Sequence, residues 1–165
     1  MPKYLIIDGY NAINKIASLI AKREISLEAS RDHFISILNN FLSTNRLFSK
    51  VYIVFDSRSE DIGVRKESCG RVEVLFGNTH KDADKVIVDI LKNAKESSSI
   101  SVASDDNFVR NHARAFGCDP MTIRELESII MLKKKISSSK IREKEIHHKH
   151  ASKINEELKK HWRLG

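Results

Sequence analysis

The chain has 165 residues, of which 41% are hydrophobic and 31% charged, enough for one domain with a sizeable core. No apolar run approaches the roughly 18 residues that span a membrane, and two cysteines, Cys69 and Cys118, provide neither a disulfide framework nor a zinc-binding pair. The formal net charge of +7 favours a polyanionic partner.

The chain opens with an apolar run, Tyr4 to Ile7, which predicts a strand buried on both faces of a parallel sheet. Asp8 follows at once, then Gly9 as a turn and then Asn11. Open α/β sheets place their ligand sites at the carboxyl ends of strands, where a buried carboxylate needs a partner. The strand begins too early to leave room for a signal peptide, and the two cysteines without a disulfide framework lead us to expect a cytoplasmic protein.

Strand and helix patterns then alternate along the chain. Residues 12–22 are helical or loop-like, and the polar segment 57–66 predicts a mobile loop. Further strands are expected over 51–55, 72–76, 100–103 and, very short, 118–121, with helices over 26–45, 82–95, 108–116 and from the capping box at 122–125. The alternation predicts a mainly parallel sheet covered by helices on both faces.

The composition changes at Lys133, where a basic and weakly hydrophobic tail begins. Apolar residues near its end, among them Ile154 and Leu158, suggest a terminal amphipathic helix. We therefore expect one domain over residues 1–132 and an appendage over 133–165.

Aspartates recur where the predicted strands end: Asp8, Asp56 and Asp105, while Asp82 and Asp84 open the helix after the third strand. The carboxyl ends of parallel strands share one edge, so these side chains can converge. Clustered carboxylates repel one another unless a cation neutralises them, and oxygen ligands suit Mg²⁺ or Mn²⁺.

Asn11 would orient water or a ligand at that edge without adding charge, whereas Asp106 is the weakest member and could simply cap the next helix. For any single aspartate, an ordinary turn or N-cap role is the alternative. The sequence contains neither GxGxxG nor GxxxxGK[ST], so no nucleotide cofactor is expected.

Four ordered motifs, Ile7–Asn11, Val54–Asp56, Asp82–Asp84 and Ser104–Asp106, together resemble the YacP-like branch of the NYN domains, which belong to the PIN-like metal-dependent nucleases. The resemblance spans about Tyr4 to Leu132. It implies a three-layer α/β/α PIN-like, Rossmann-like fold and an endoribonuclease site that uses Mg²⁺ or Mn²⁺.

By motif position, the resemblance assigns the catalytic and metal-binding roles to Asp8, Asp84 and Asp105, with Asn11, Asp56, Asp82 and Asp106 in support. Lys85 follows Asp84 where family members often carry an acidic residue. Some relatives act on messenger RNA at the ribosome, so a ribosomal partner is also an expectation.

Basic side chains are the expected contacts to the RNA backbone, through salt-sensitive phosphate interactions. They are Arg58, Arg65, Lys66, Arg110, Lys133, Lys134 and Lys135. Arg110 and Arg114, one helical turn apart, either contact phosphate or face solvent.

Two other functions stay open at this point. A catalytically inactive RNA-binding or ribosome-associated module is favoured by Lys85 and the basic tail. A small phosphoester hydrolase on a related α/β fold is the third possibility, which turnover of a small phosphoester with RNA left intact would favour.

Overall fold

The computed structural model of the chain describes residues 2–56, 65–77 and 82–132, except the side chains at 65 and 66. Met1–Ile130 form one compact unit and Met131–Gly165 a second. The expected tail helix and the basic residues Arg58 and Lys133 to Lys135 lie outside the described residues, and the proposed boundary after residue 132 stays a prediction.

Six strands of the described residues form one sheet in the order β3–β4–β2–β1–β5–β6, in which only β3 runs antiparallel to its neighbour. The strands are β1 (Tyr4–Asp8), β2 (Lys50–Phe55), β3 (Arg65–Cys69), β4 (Val72–Phe76), β5 (Ile100–Ala103) and β6 (Asp119–Met121). Because β1 lies between β2 and β5, the carboxyl ends of three neighbouring strands meet at the centre of one edge.

Helices connect the strands and cover the sheet. They are α1 (Gly9–Lys15), α2 (Ala17–Arg23), α3 (Leu27–Thr44), α4 (Ala83–Lys92), α5 (Asn107–Ala115) and α6 (123–132), with a 3₁₀ turn at Ser97–Ser99. None of the helices in the described segments is long and apolar enough to cross a membrane.

Alternation along β1 divides the core between the two faces of the sheet. Leu5 and Ile7 pack with apolar residues of α1, α2, α3 and α6, whereas Ile6 packs with those of α4 and α5. The predicted three-layer α/β/α arrangement with a mainly parallel sheet is thus confirmed.

Helix boundaries follow the predicted capping residues. Ser26 Oγ accepts a hydrogen bond from the Ala29 N–H at 2.9 Å, and Asn45 ends α3. Thr122 and Glu125 bond reciprocally, with the Thr122 N–H donating to Glu125 Oε2 at 2.6 Å. Gly117, which ends α5, has a φ of +76°, a conformation that favours glycine.

The loop predicted over residues 57–66 is wrong at its end, because Arg65 and Lys66 begin strand β3, while its residues 57–64 lie outside the described residues. This strand pairs with β4 through a tight turn at Gly70, where φ is +68°. Its sequence, RKESC, is polar because it forms the edge of the sheet, so no apolar run marks it.

Gly9 is the first residue of α1, not a turn as the sequence suggested. It has no positive φ; instead, a Cβ at this position would overlap the Phe55 ring. The segment 12–22 is helical, but Ile16 adopts an extended conformation and divides it between α1 and α2.

Candidate functional site

Asp8 lies at the centre of the carboxyl edge and is only 6% exposed. Its Oδ1 accepts a hydrogen bond from the Asn11 N–H at 3.3 Å, and its Oδ2 accepts one from Ser104 Oγ at 3.1 Å. Burial raises the pKa of Asp8 from 3.8 to about 6; the Asn11 and Ser104 bonds lower it, and the carboxylates of Asp84 and Asp56 raise it.

Asp84 reaches the same edge from the first turn of α4, where it is half-buried. Burial raises its pKa, and so do the negative charges of Asp106, Asp56 and Asp82, in that order. The charge of Asp56 therefore acts on both Asp8 and Asp84, and the charge of Asp106 acts on Asp84. We call Asp8, Asp56, Asp84 and Asp106 the acidic edge.

Asp56 also supports the helix that carries Asp84. Its Oδ1 accepts a hydrogen bond from the Ala83 N–H, which caps α4 from another part of the chain. Asp82 occupies the N-cap position but makes no such bond; its 77% exposed side chain lies 3.7 Å from Lys85 Nζ. Lys85 thus pairs with the exposed Asp82 at the rim.

The two aspartates after β5 face different surroundings. Asp105 Oδ2 lies 2.6 Å from Lys15 Nζ, and its Oδ1 accepts the Ile123 N–H at 2.9 Å, at the start of α6. Burial alone would raise the pKa of Asp105, but Lys15, Ile123 and Arg110 together lower it. Both of its oxygens are therefore already engaged.

Asp106 uses one oxygen, Oδ1, to cap α5 by accepting the Phe108 N–H at 2.7 Å and the Val109 N–H at 3.4 Å. Its negative charge raises the pKa of Asp84, as do the charges of Asp56 and Asp82. The charge of Asp106 therefore acts on Asp84, whereas Asp105 is held by Lys15 and by the start of α6.

Two features of the site were missed from the sequence. Ser104 is fully buried, donates to Asp8 and accepts the Asp106 N–H at 3.1 Å, so it joins two members of the acidic edge. The sequence pattern that could have predicted this role is the position of Ser104 directly after an apolar strand and before two aspartates.

The second is Arg31 on α3, which donates to the Tyr10 hydroxyl at 2.7 Å while that hydroxyl lies 3.5 Å from the Asp56 carbonyl oxygen. The guanidinium carbon also lies 5.1 to 5.8 Å from the ring centres of Tyr10, Phe55 and Phe76. This arginine supports the wall beside Asp56, and no local sequence pattern marks it.

The predicted RNA contacts are only partly visible. Arg110 is half-buried on α5, and its Nε has no hydrogen-bond partner among the residues that the structure describes. Arg65 and Lys66 lie on the edge strand β3, where only their backbone is described.

The acidic edge has the chemistry of a hard-cation site. Its donors are carboxylate oxygens, and Asn11 Oδ1 is buried without a hydrogen-bond partner in the described segments. Among these residues, however, no three Asp, Glu, His or Cys side chains converge around one point as ligands. The donors therefore fit a cation that keeps much of its water, as Mg²⁺ does, better than a closed protein cage.

Comparison with known proteins gives a family and a structural match. The model of the YacP-like NYN domain matches residues 5–164. The crystal structure of Rae1 (YacP) from Bacillus subtilis is similar at 26% identity and a TM-score of 0.69, covering 99% of this chain and 95% of that one.

A tryptophan-to-leucine mutant of Rae1 (YacP) from Bacillus subtilis is similar at 24% identity and a TM-score of 0.66, covering 86% of this chain and 82% of that one. No curated protein matches.

Proposed function

The chain belongs to the YacP-like NYN domain family, and on this premise we propose that it is a divalent-metal-dependent endoribonuclease that hydrolyses RNA phosphodiester bonds at the acidic edge. The family membership supports a nuclease-like, RNA-related domain. The observation that carries the finer proposal is the buried Asp8 carboxylate, whose pKa is raised by the negative charges of Asp84 and Asp56. Beside it, Asn11 Oδ1 has no hydrogen-bond partner among the described residues.

A folded protein gains nothing in stability from placing like charges together in a poorly hydrated position. Such an arrangement is expected where a cation is bound and where the charges do chemical work. When bound, Mg²⁺ or Mn²⁺ would supply a Lewis acid at a phosphoryl oxygen and an activated water.

The residues proposed to hold the cation, directly or through water, are Asp8 and Asp84, with a third aspartate after β5. The family resemblance assigns that third place to Asp105. The geometry favours Asp106, because Asp105 would first have to release both Lys15 and the Ile123 N–H. Asn11 Oδ1 would accept a hydrogen bond from a water of the hydrated cation.

Other residues keep these groups in place. Ser104 holds Asp8 against the Asp106 backbone, and Asp56 fixes the start of α4. Asp82 forms the exposed rim with Lys85. Positively charged side chains, including Arg110 and the tail lysines, are proposed to bind phosphates of a cytoplasmic RNA, for which messenger RNA on the ribosome is one source.

The experiment is cleavage of an end-labelled single-stranded RNA by the full chain with Mn²⁺, Mg²⁺ or EDTA. Asp8→Asn should lower the rate by about 100-fold or more, because losing even an outer partner of a metal ligand typically costs 10- to 100-fold. Asp119→Asn is the matched control, since Asp119 is exposed at the start of β6, towards the opposite edge. Equal cutting by Asp8→Asn and the parent would refute the site.

A catalytically inactive RNA-binding module is the second candidate. The observation that favours it is that no three potential ligands converge in the described part of the chain. This candidate predicts RNA binding that survives Asp8→Asn and no cleavage with either metal. Metal-dependent cutting that Asp8→Asn abolishes would reject it.

A further inference from the structure

One aromatic side chain next to the acidic edge is not explained by packing. Phe108 is 48% exposed, and it is the only aromatic residue among the large hydrophobic side chains that are exposed in the described segments. The others with this exposure are aliphatic: Ile20, Ile25, Leu47 and Leu132.

Its place beside the acidic edge is fixed by the cap of α5. The Phe108 N–H donates to Asp106 Oδ1 at 2.7 Å, and the charge of Asp106 acts on Asp84. Phe108 therefore lies in the first turn of the helix that Asp106 caps.

The Phe108 ring also packs against the ring of His112. Its centre lies 4.3 Å from the centre of the His112 ring, one turn further along α5. The His112 Nδ1–H donates to the Phe108 carbonyl oxygen at 2.8 Å, which holds the imidazole against the phenyl ring with the two ring planes tilted by 49°. A supported ring with open area forms a flat platform.

Phe108 belongs to the exposed face of α5. This face consists of Asn107, Phe108, Asn111, Arg114 and Ala115. The helix contains no acidic residue between Asn107 and Ala115, while Arg114 donates to Asn111 Oδ1 at 3.2 Å. The face thus offers an aromatic ring, amides and a guanidinium, without a carboxylate to repel phosphate.

We propose that Phe108 is a stacking subsite for one nucleobase of single-stranded RNA, in the first turn of the helix that Asp106 caps. Proteins bind unpaired bases by stacking them on aromatic rings, while cations track the backbone. The charge of α5 and the continuity with the acidic edge favour RNA over a protein partner. The position of the subsite rests on the proposed function, but base stacking itself does not require cleavage.

The test measures binding of a fluorescein-labelled single-stranded RNA to the full chain in EDTA, by anisotropy. Phe108→Ala should weaken binding by about 5- to 150-fold, the range for loss of one stacked base. Phe108→Tyr should bind as the parent does. Phe108→Leu, which keeps apolar area but no flat ring, should bind as weakly as Phe108→Ala. Ile25→Ala, which removes another exposed hydrophobic side chain, should leave the RNA affinity unchanged.

A second arm locates the base. One nucleotide at a time is replaced by an abasic sugar, and each RNA is titrated against the parent and Phe108→Ala. At one position the abasic RNA should bind the parent as weakly as Phe108→Ala binds intact RNA, and combining both changes should cost nothing further. Circular dichroism melts verify that each variant is folded.

Unchanged binding by Phe108→Ala, parent-like binding by Phe108→Leu, or additive losses at every abasic position would each overturn the subsite. These results are separable from those of the cleavage assay. A chain that stacks RNA on Phe108 but never cuts it contradicts only the proposed enzyme activity, and a chain that cuts RNA without depending on Phe108 contradicts only the subsite.

Discussion

Replacing Asp8 by asparagine should stabilise the metal-free protein at neutral and alkaline pH. The substitution removes a buried negative charge but keeps a side chain of nearly the same shape. The new Oδ1 can accept the Asn11 N–H as before, while the new Nδ2 would donate to Ser104 Oγ, which reverses the present bond and leaves the Ser104 hydroxyl to find another acceptor. The main change is therefore the loss of the charge and of its repulsion from Asp84 and Asp56.

The magnitude follows from the shift in pKa. The pKa of Asp8 rises from 3.8 to about 6 in the folded chain, and each pKa unit corresponds to 1.36 kcal/mol, so ionised Asp8 costs about 3 kcal/mol of folding free energy. We expect Asp8→Asn to increase the free energy of unfolding by about 2–3 kcal/mol at pH 8 in EDTA.

The pH dependence has a definite sign. Because the folded-state pKa of Asp8 is raised, the folded chain binds more protons than the unfolded chain between pH 3.8 and about 6, and stability falls as the pH rises through this window. The advantage of Asp8→Asn should be complete above pH 7 and vanish near pH 4. Urea unfolding followed by circular dichroism at several pH values measures it.

With added metal, the parent should become more stable than Asp8→Asn. A cation that binds only the folded state stabilises the parent in proportion to ln(1 + [metal]/Kd), whereas Asp8→Asn should gain much less from Mn²⁺. Asp119→Asn serves as the control and should follow the parent in both conditions. If Asp8→Asn is no more stable than the parent at pH 8 in EDTA, the assignment of a strained, buried charge is refuted.

Three further predictions concern the surroundings of Asp8. Asp106→Asn should weaken Mn²⁺ affinity and RNA cleavage at least about 10-fold more than Asp105→Asn; equal effects, or the reverse order, in calorimetric titration and cleavage assays would return the ligand role to Asp105. Lys15→Met should cost less than about 1 kcal/mol of unfolding free energy at pH 7 because Lys15 is 53% exposed. Since Lys15 lowers the pKa of Asp105, that cost should shrink as the pH falls below 3.8; a cost that stays constant would contradict the pairing. Arg31→Ala should lower the free energy of unfolding by about 2 kcal/mol, through loss of the Tyr10 bond and the ring contacts, with Arg31→Lys in between; urea curves that coincide with the parent's would remove Arg31 from the support of the site.

The sheet and its edge could be predicted because the relevant signals are local and regular. Apolar runs such as Val51 to Phe55 mark buried strands whatever their neighbours are, and parallel strands must end on the same side. The meeting of Asp8 and Asp56 at one edge therefore followed from the pattern, as did the entry of Asp84 from the next helix.

The choice between Asp105 and Asp106 could not be predicted in this way. The two residues are adjacent, and which carboxylate turns towards Asp84 depends on how the chain leaves β5. Asp105 is drawn to Lys15 and the start of α6, while Asp106 caps α5. Both contacts of Asp105 come from residues far away in the sequence.

The role of Arg31 could not be predicted from the sequence for a related reason. Its partners Tyr10, Phe55 and Phe76 belong to three separate elements, and only the packing of α3 on the sheet brings them together. Strand β3 was missed because an exposed edge strand needs no apolar face, so its polar residues read as a loop.

A crystal structure of the full chain soaked with Mn²⁺, with anomalous scattering used to locate the ion, would test directly whether the acidic edge binds a cation. We predict an anomalous peak at the acidic edge, within coordinating distance, directly or through one water, of Asp8 and Asp84, and its loss in Asp8→Asn crystals soaked identically. A peak that persists unchanged in Asp8→Asn crystals, or a manganese ion bound only elsewhere, would contradict cation binding by Asp8 at the acidic edge.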